Sequence, residues 1–355
     1  MHPQTPATIA LSDLPSSVEK TAHSLGATFR RDPQGVSNNL HADWARIQEY
    51  LGTYLPRTVF EFQTIMGELL GFEAVRKTLP NSRPLRVLDL GSGTGGAWFG
   101  LVSALQHAGY SGEIAVQSAD GNAGALGVQN KFAKAIAMET GMPISLTTTH
   151  IVMGDTQAEF SRTLAKLLVE LGGSFDFILV SKHLSELYGT GGANARGIVA
   201  ESLKQLGDAL SDCGYLVVLD VTTKVAGTNG YFPVQMAREI AQFVTADMSA
   251  VKPVLPIPCG KFMASGCDGL RSCFTQAALN FHHQPTVAIP LRQATTKVTY
   301  RVLARTAQAD QIVASFLQAN TYSVNASTPG EVCKMGSIVA NPSPKPNPFG
   351  GFVLG

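Results

Sequence analysis

From Leu85 to Val221 short apolar runs alternate with longer stretches whose apolar residues recur every three or four positions. The runs are LRVLDL, EIAVQSAD, ISLTTTHIV, FDFILVS and GYLVVLDV. Between them lie GAWFGLVSALQHAG, GALGVQNKFAKAIAMETG, TQAEFSRTLAKLLVELG and NARGIVAESLKQLGDALSDCG. Short β-branched runs predict strands, and the longer spacing predicts helices. Strands alternating with helices predict an α/β fold, with a parallel sheet covered by helices on both faces.

The flanks read differently. Residues 1–83 predict a helical domain or lid. SSVEKTAHSLGATFRR opens on Ser16 and Ser17, and a longer stretch from Asp43 splits into two helices near Leu55–Pro56, where proline interrupts the pattern. After Thr222 come a loop and a helix, a cysteine-bearing segment over 256–283, a strand at KVTYRVLART and a helix at AQADQIVASFLQAN. Residues 341–355 form a proline- and glycine-rich tail, expected to be extended. The sheet region with these additions spans 84–340.

Composition narrows the class. Apolar residues make up 45% and charged residues 15%, which excludes global disorder. No apolar run reaches a membrane-spanning length, and the first twenty residues lack an export pattern, so a cytoplasmic protein with no membrane partner is expected. The net charge of +1 excludes a uniformly basic nucleic-acid binder. It leaves local patches open, because net charge does not describe distribution.

The chemistry concentrates at one sheet edge. Gly91, Ser92, Gly93 and Gly95 follow the first strand directly, and Asp89 lies inside its end. Glycines there allow positive φ and close approach of a ligand, and the next helix presents its amides. The loop lacks the lysine of an NTPase phosphate loop. Asp120 ends the second strand, where a carboxylate can take ribose hydroxyls. Asp155 follows the third strand and Ser181 closes the fourth. Parallel strands end on one rim, so these groups are expected to share it.

This set resembles the class I S-adenosylmethionine-dependent methyltransferases, with VLDLGSGTGGAW as the first motif, Asp120 as the ribose acid and Gly154-Asp155 as the adenine-edge element. The resemblance implies a Rossmann-like sheet, S-adenosylmethionine as cofactor and a transferase activity. It assigns Asp89, Gly91, Ser92, Gly93, Gly95, Asp120, Asp155 and Ser181 to cofactor binding. Dehydrogenases are the main competitor, but their loop spaces its glycines differently. Acceptor-side residues belong just past the fourth strand, in VSKHLSELYGTGG. His183, Glu186 and Tyr188 are the catalytic candidates; His183 reads equally as a helix-surface residue and Glu186 as a partner of local backbone.

Cys259, Cys267 and Cys273 fall in a glycine-rich stretch, and Cys333 follows in PGEVCKMG. Cysteines are often small buried apolar residues. Four thiolates can also hold zinc or an iron–sulfur cluster. YLPRTVFEFQTIMGEL, VSKHLSEL, the cysteine segment, VTYRVLAR and GEVCKMG together resemble the methyltransferase-like family of mitochondrial small-ribosomal-subunit assembly proteins and their bacterial relatives. That resemblance implies a 4Fe-4S cluster on Cys259, Cys267, Cys273 and Cys333 rather than zinc. It also implies ribosomal RNA or the small ribosomal subunit as partner. Gly260-Lys261 and Ser272-Cys273-Phe274 depart from the family pattern.

Three functions follow. The first is a methyltransferase with an unassigned, small-molecule acceptor. The second is a ribosome-assembly or RNA-binding factor carrying cofactor and cluster. The third is an enzyme that cleaves or cyclises the cofactor and releases methylthioadenosine, with Phe60, Phe62, Tyr188 or Tyr231 facing the sulfonium.

Overall fold

In the computed structural model, the described residues are 14–30, 40–191, 195–221, 232–245, 250–256 and 277–319, with four two-residue stretches beyond. Five strands run parallel: β1 (Leu85–Leu90), β2 (Ile114–Asp120), β3 (Ile144–His150), β4 (Phe175–Ser181) and β5 (Leu210–Val221). Three more complete the sheet: β6 (Val251–Leu255), β7 (Ala277–His283) and β8 (Arg292–Arg305). The order is β3-β2-β1-β4-β5-β8-β6, with β7 paired to β8. β8 runs antiparallel to β5 and to β6. The α/β, Rossmann-like sheet expected from the alternating pattern is therefore present.

Register sets the rim. Leu90 pairs with Ala119 and with Val180, and Ser181 pairs with Leu219. The ends of β1, β2, β4 and β5 thus come together at one edge. β6 and β7 had no counterpart in the sequence reading. Pro253 interrupts the β6 pattern, and a sheet edge is where a strand tolerates proline.

Helices cover both faces. α1 (Ser16–Ser24), α2 (Trp44–Thr53), α3 (Leu55–Leu70) and the short α4 (Glu73–Arg76) precede β1. α5 (Gly96–His107), α6 (Ala123–Thr140) and α7 (Gln157–Leu171) connect the first four strands. α8 (Leu184–Gly191), α9 (Ile198–Asp208), α10 (Phe232–Thr245) and α11 (Thr306–Ala319) follow. One buried cluster joins α1–α3 and α5 to Leu85 and Val87 of β1, and a second joins α7–α10 to Leu88 and Leu90. Alternate residues of one strand thus feed opposite cores, as the pleat requires.

Of the N-terminal helices, α3 is seated on α5 and α1 on α6. Pro56 occupies the first turn of α3, where its missing N–H costs nothing. At Gly100 of α5 a Cβ would stand 2.4 Å from the Val59 carbonyl oxygen, so only glycine lets the two backbones approach this closely. Asp43 caps α2 by accepting from the Arg46 N–H at 2.9 Å. Among the described residues no helix is long and apolar enough to cross a membrane.

Candidate cofactor and acceptor site

The loop after β1 is held by side chains from two neighbouring elements. Asp120 accepts from the Gly93 N–H at 2.8 Å with one oxygen and from the Asn122 N–H at 2.7 Å with the other. Gln129 of α6 donates to Ser92 Oγ at 3.0 Å and to the Gly93 carbonyl at 2.8 Å. Its amide oxygen accepts from Ser118 and from Trp98 Nε1. Gly91 and Gly93 have φ of +66° and +52°. A Cβ on Gly91 would meet His183 at 2.6 Å, whereas one on Gly93 would enter open space. Gly91 thus admits a side chain, and Gly93 keeps the cleft wall bare.

The loop opens into a cleft whose empty space, counted with the open solvent at its mouth, is about 990 Å³. Its inner wall is the loop with Asp120, Ser181, Lys182, His183 and Glu186; its outer wall comes from Leu40, Ile47, Tyr50, Tyr54 and Thr58. Leu40 lies on Gly121, where a Cβ would stand 2.2 Å from its methyl carbon. An adjoining recess of about 450 Å³ is bounded by Leu90, Ala119, Ile151, Met153 and Leu187 as well as Asp120. Polar groups thus converge next to an apolar recess, the usual composition of a small-molecule site.

Ionisation differs sharply along the rim. Burial pushes the Asp89 carboxyl up to about 8; the Trp98 backbone N–H pulls it down and the Asp120 charge adds to the rise. Glu186 is also pushed up to about 8, first by burial and then by Asp220 and Asp120. Burial raises Asp220 to about 6, although it accepts from the Ser185 and Val221 N–H groups. His183 is held below the ordinary histidine value by burial, against the pull of Asp120, and its Nε2 has no hydrogen-bond partner among the described residues.

Lys182 is a rim residue that the sequence reading passed over. Its φ of +57° is rare for a residue with a side chain. Its Nζ lies 2.6 Å from the fully buried Glu61 and donates to Thr58 Oγ1 at 3.1 Å. Thr296 of β8 donates to the same Glu61. The pair ties α3 to the end of β4. Gln129 was also missed, although a glutamine on the buried face of a helix is a readable signal.

The structure brings Asp120, Gly91, Ser92, Gly93, Ser181, His183 and Glu186 to the cleft. Gly95 caps α5 just behind it, with φ of +94°. Three candidates lie outside the lining: Asp89 is fully buried, and Tyr188 and Asp155 stand elsewhere. Tyr188 is buried with Phe232, and its hydroxyl donates to Glu239, whose carboxylate also accepts from the Val199 and Ala200 N–H groups. It lies outside the cleft lining because α8 turns it onto the opposite face from Glu186. Asp155 is exposed and does not line the cleft; of the residues that follow β3, Ile151 and Met153 border the recess instead. Phe60 and Phe62 are core residues, Phe60 stacking on Phe281 at 5.0 Å. Cys259, Cys267, Cys273, Cys333 and Tyr231 lie outside the described residues. Cys213 is exposed, near the start of β5.

Sheet and rim together define a Rossmann-like α/β protein with its cleft at the carboxyl ends of the strands. No family model matches the chain, and no curated protein matches it. Among solved structures the chain is similar to the O-methyltransferase from Bacillus cereus in complex with SAH, at 9% identity over 84% of this chain and 94% of that one, TM-score 0.37. It is similar to the plantazolicin methyltransferase BamL in complex with SAH and a triazolic desmethylPZN analog, at 13% identity over 66% and 76%, TM-score 0.35. It is also similar to the CMeT domain of the citrinin polyketide synthase, at 20% identity and TM-score 0.31 over 46% of this chain. The chain spans 36% of the length of that last structure.

Proposed function

We propose that the protein is an S-adenosylmethionine-dependent methyltransferase. The observation that carries the reading is Asp120, which clamps the glycine loop at Gly93 and borders both the cleft and the apolar recess. Each carboxylate oxygen spends one lone pair on a backbone amide and keeps another for a ribose hydroxyl. The recess beside it suits a purine, and the open side of Gly93 leaves room for the thioether arm. The sheet weighs against a dinucleotide cofactor. The dinucleotide fold orders its strands 3-2-1-4-5-6, whereas here the antiparallel β8 separates β5 from β6.

When bound, the cofactor supplies a sulfonium methyl group for in-line displacement. The residues of the chain then have separable tasks. Asp120 orients the ribose. Lys182 on the inner wall and Thr58 on the outer wall offer an ammonium and a hydroxyl for the amino-acid arm. Leu40 and Ile47 exclude water from one side. Of His183 and Glu186, His183 is the proton acceptor near neutral pH, because burial keeps its ring uncharged. Glu186, with its carboxyl raised to about 8, is mostly protonated there and acts as a hydrogen-bond donor.

The test is anaerobic purification, incubation with S-adenosylmethionine and a panel of acceptors, and mass spectrometry of the nucleoside product. Acceptor-dependent S-adenosylhomocysteine is the expected result. Methylthioadenosine formed without an acceptor would replace methyl transfer by cleavage or cyclisation of the cofactor. Iron and sulfide counted on the same sample test the proposed cluster on Cys259, Cys267, Cys273 and Cys333.

A further inference from the structure

Glu61 is a fully buried acid of α3, and none of the steps above uses it. We infer that Glu61 is a positioning residue: it holds the Lys182 ammonium at the cleft, where the lysine takes the carboxylate of the cofactor's amino-acid arm. The inference rests on the methyltransferase reading and deepens it for that arm.

Lys182 reaches this place from a constrained backbone. Its φ is +57°, and its N–H donates to the Leu219 carbonyl of β5 at 2.8 Å. Its Nζ turns to α3, 2.6 Å from Glu61 Oε2 and 3.1 Å from Thr58 Oγ1. Thr58 spends its hydroxyl hydrogen on the Tyr54 carbonyl at 3.2 Å, so its oxygen accepts from the lysine. Glu61 Oε1 accepts from Thr296 of β8. The ammonium is therefore fixed from α3, and its anchor is fixed in turn from the sheet. An ammonium has three donors, and these partners take two. The Lys182 side chain is 18% exposed and lines the cleft, whereas Glu61 has no exposure and does not line it. A ligand in the cleft thus meets the lysine and not the glutamate.

Packing alone does not call for the pair. An ion pair taken out of water returns little net stability, and apolar residues of similar volume often serve as well. What the pair supplies is a charge at a fixed place. Asp120 lines the same cleft and is a competing carboxylate for an untethered ammonium. Glu61 keeps the lysine on the α3 side. Asp120 then keeps its lone pairs for the ribose, and the third N–H of Lys182 meets the arm in a charge-assisted hydrogen bond.

The test separates the arm from the rest of the cofactor. S-adenosylhomocysteine is compared with methylthioadenosine, which has the same nucleoside and sulfur without the charged arm. Both are titrated by calorimetry into the full chain as wild type, E61Q, T296V and the double variant E61Q/K182M, with melting temperature measured for each. The wild type is expected to prefer S-adenosylhomocysteine. E61Q should cut that preference roughly tenfold while its affinity for methylthioadenosine holds. The double variant should show the same reduced preference, because the glutamate acts only through the lysine. T296V keeps both charges and frees one side of Glu61; it should cut the preference less, and it decides the question if E61Q does not fold. An unchanged preference in the deciding variant, a double variant well below E61Q, or equal losses for both ligands, the mark of a merely structural role, would overturn the inference. Equal binding of the two ligands by the wild type would overturn it too, while leaving the adenosine site standing. Failure of the wild type to bind either ligand would sink the cofactor reading itself, and the inference with it.

Discussion

Asp89 and Asp120 both end strands that read alike in the sequence, yet their surroundings are opposite. Asp120 accepts two backbone amides at the cleft. Asp89 is fully buried, and neither carboxyl oxygen has a partner of hydrogen-bonding geometry among the described residues. Its folded pKa of about 8 stands far above its ordinary 3.8, so between those values the native state binds a proton that the unfolded chain has released. Its contribution is complete below about 3.8 and is lost as the pH climbs through about 8. Glu186 carries the same sign. Melting temperature should therefore fall as pH rises from 7 to 8, by at most about 1.4 kcal/mol of stability per pH unit for each group. Asp89→Asn should flatten that slope without abolishing it, as thermal denaturation across this interval would show. An identical slope in wild type and variant would place the titration elsewhere.

At the scale of elements, the crossing of α3 and α5 decides where the outer wall of the cleft stands. Gly100→Ala would push a methyl group to 2.4 Å from the Val59 carbonyl, backbone against backbone. The expected loss is about 1–3 kcal/mol in chemical denaturation, together with weaker cofactor binding as Tyr54 and Thr58 shift. A variant as stable as the wild type would mean that the two helices adjust freely. Much of this level was legible beforehand. Proline at 56 and the apolar periodicity marked the α2–α3 boundary, and the β-branched runs marked β1 to β5. Tyr188 was misplaced because proximity in sequence to His183 was weighed without the turn of α8. Asp155 was misplaced because the segment after β3 brings Ile151 and Met153, not the acid, to the recess. Lys182 escaped notice because its role depends on Glu61, a residue distant in sequence that only the packing of α3 brings near.

For the whole molecule, two cores on opposite faces of one sheet hold the rim rigid, while the N-terminal helices complete the cleft from outside. On the proposed function, the rim binds S-adenosylmethionine through Asp120. Calorimetric titration of S-adenosylhomocysteine into the wild type and Asp120→Ala tests it most directly. One site per chain in the wild type is predicted, weakened about tenfold or more in the variant, the size expected for hydrogen bonds to a charged group. No binding to the wild type, or equal binding to both proteins, would contradict it.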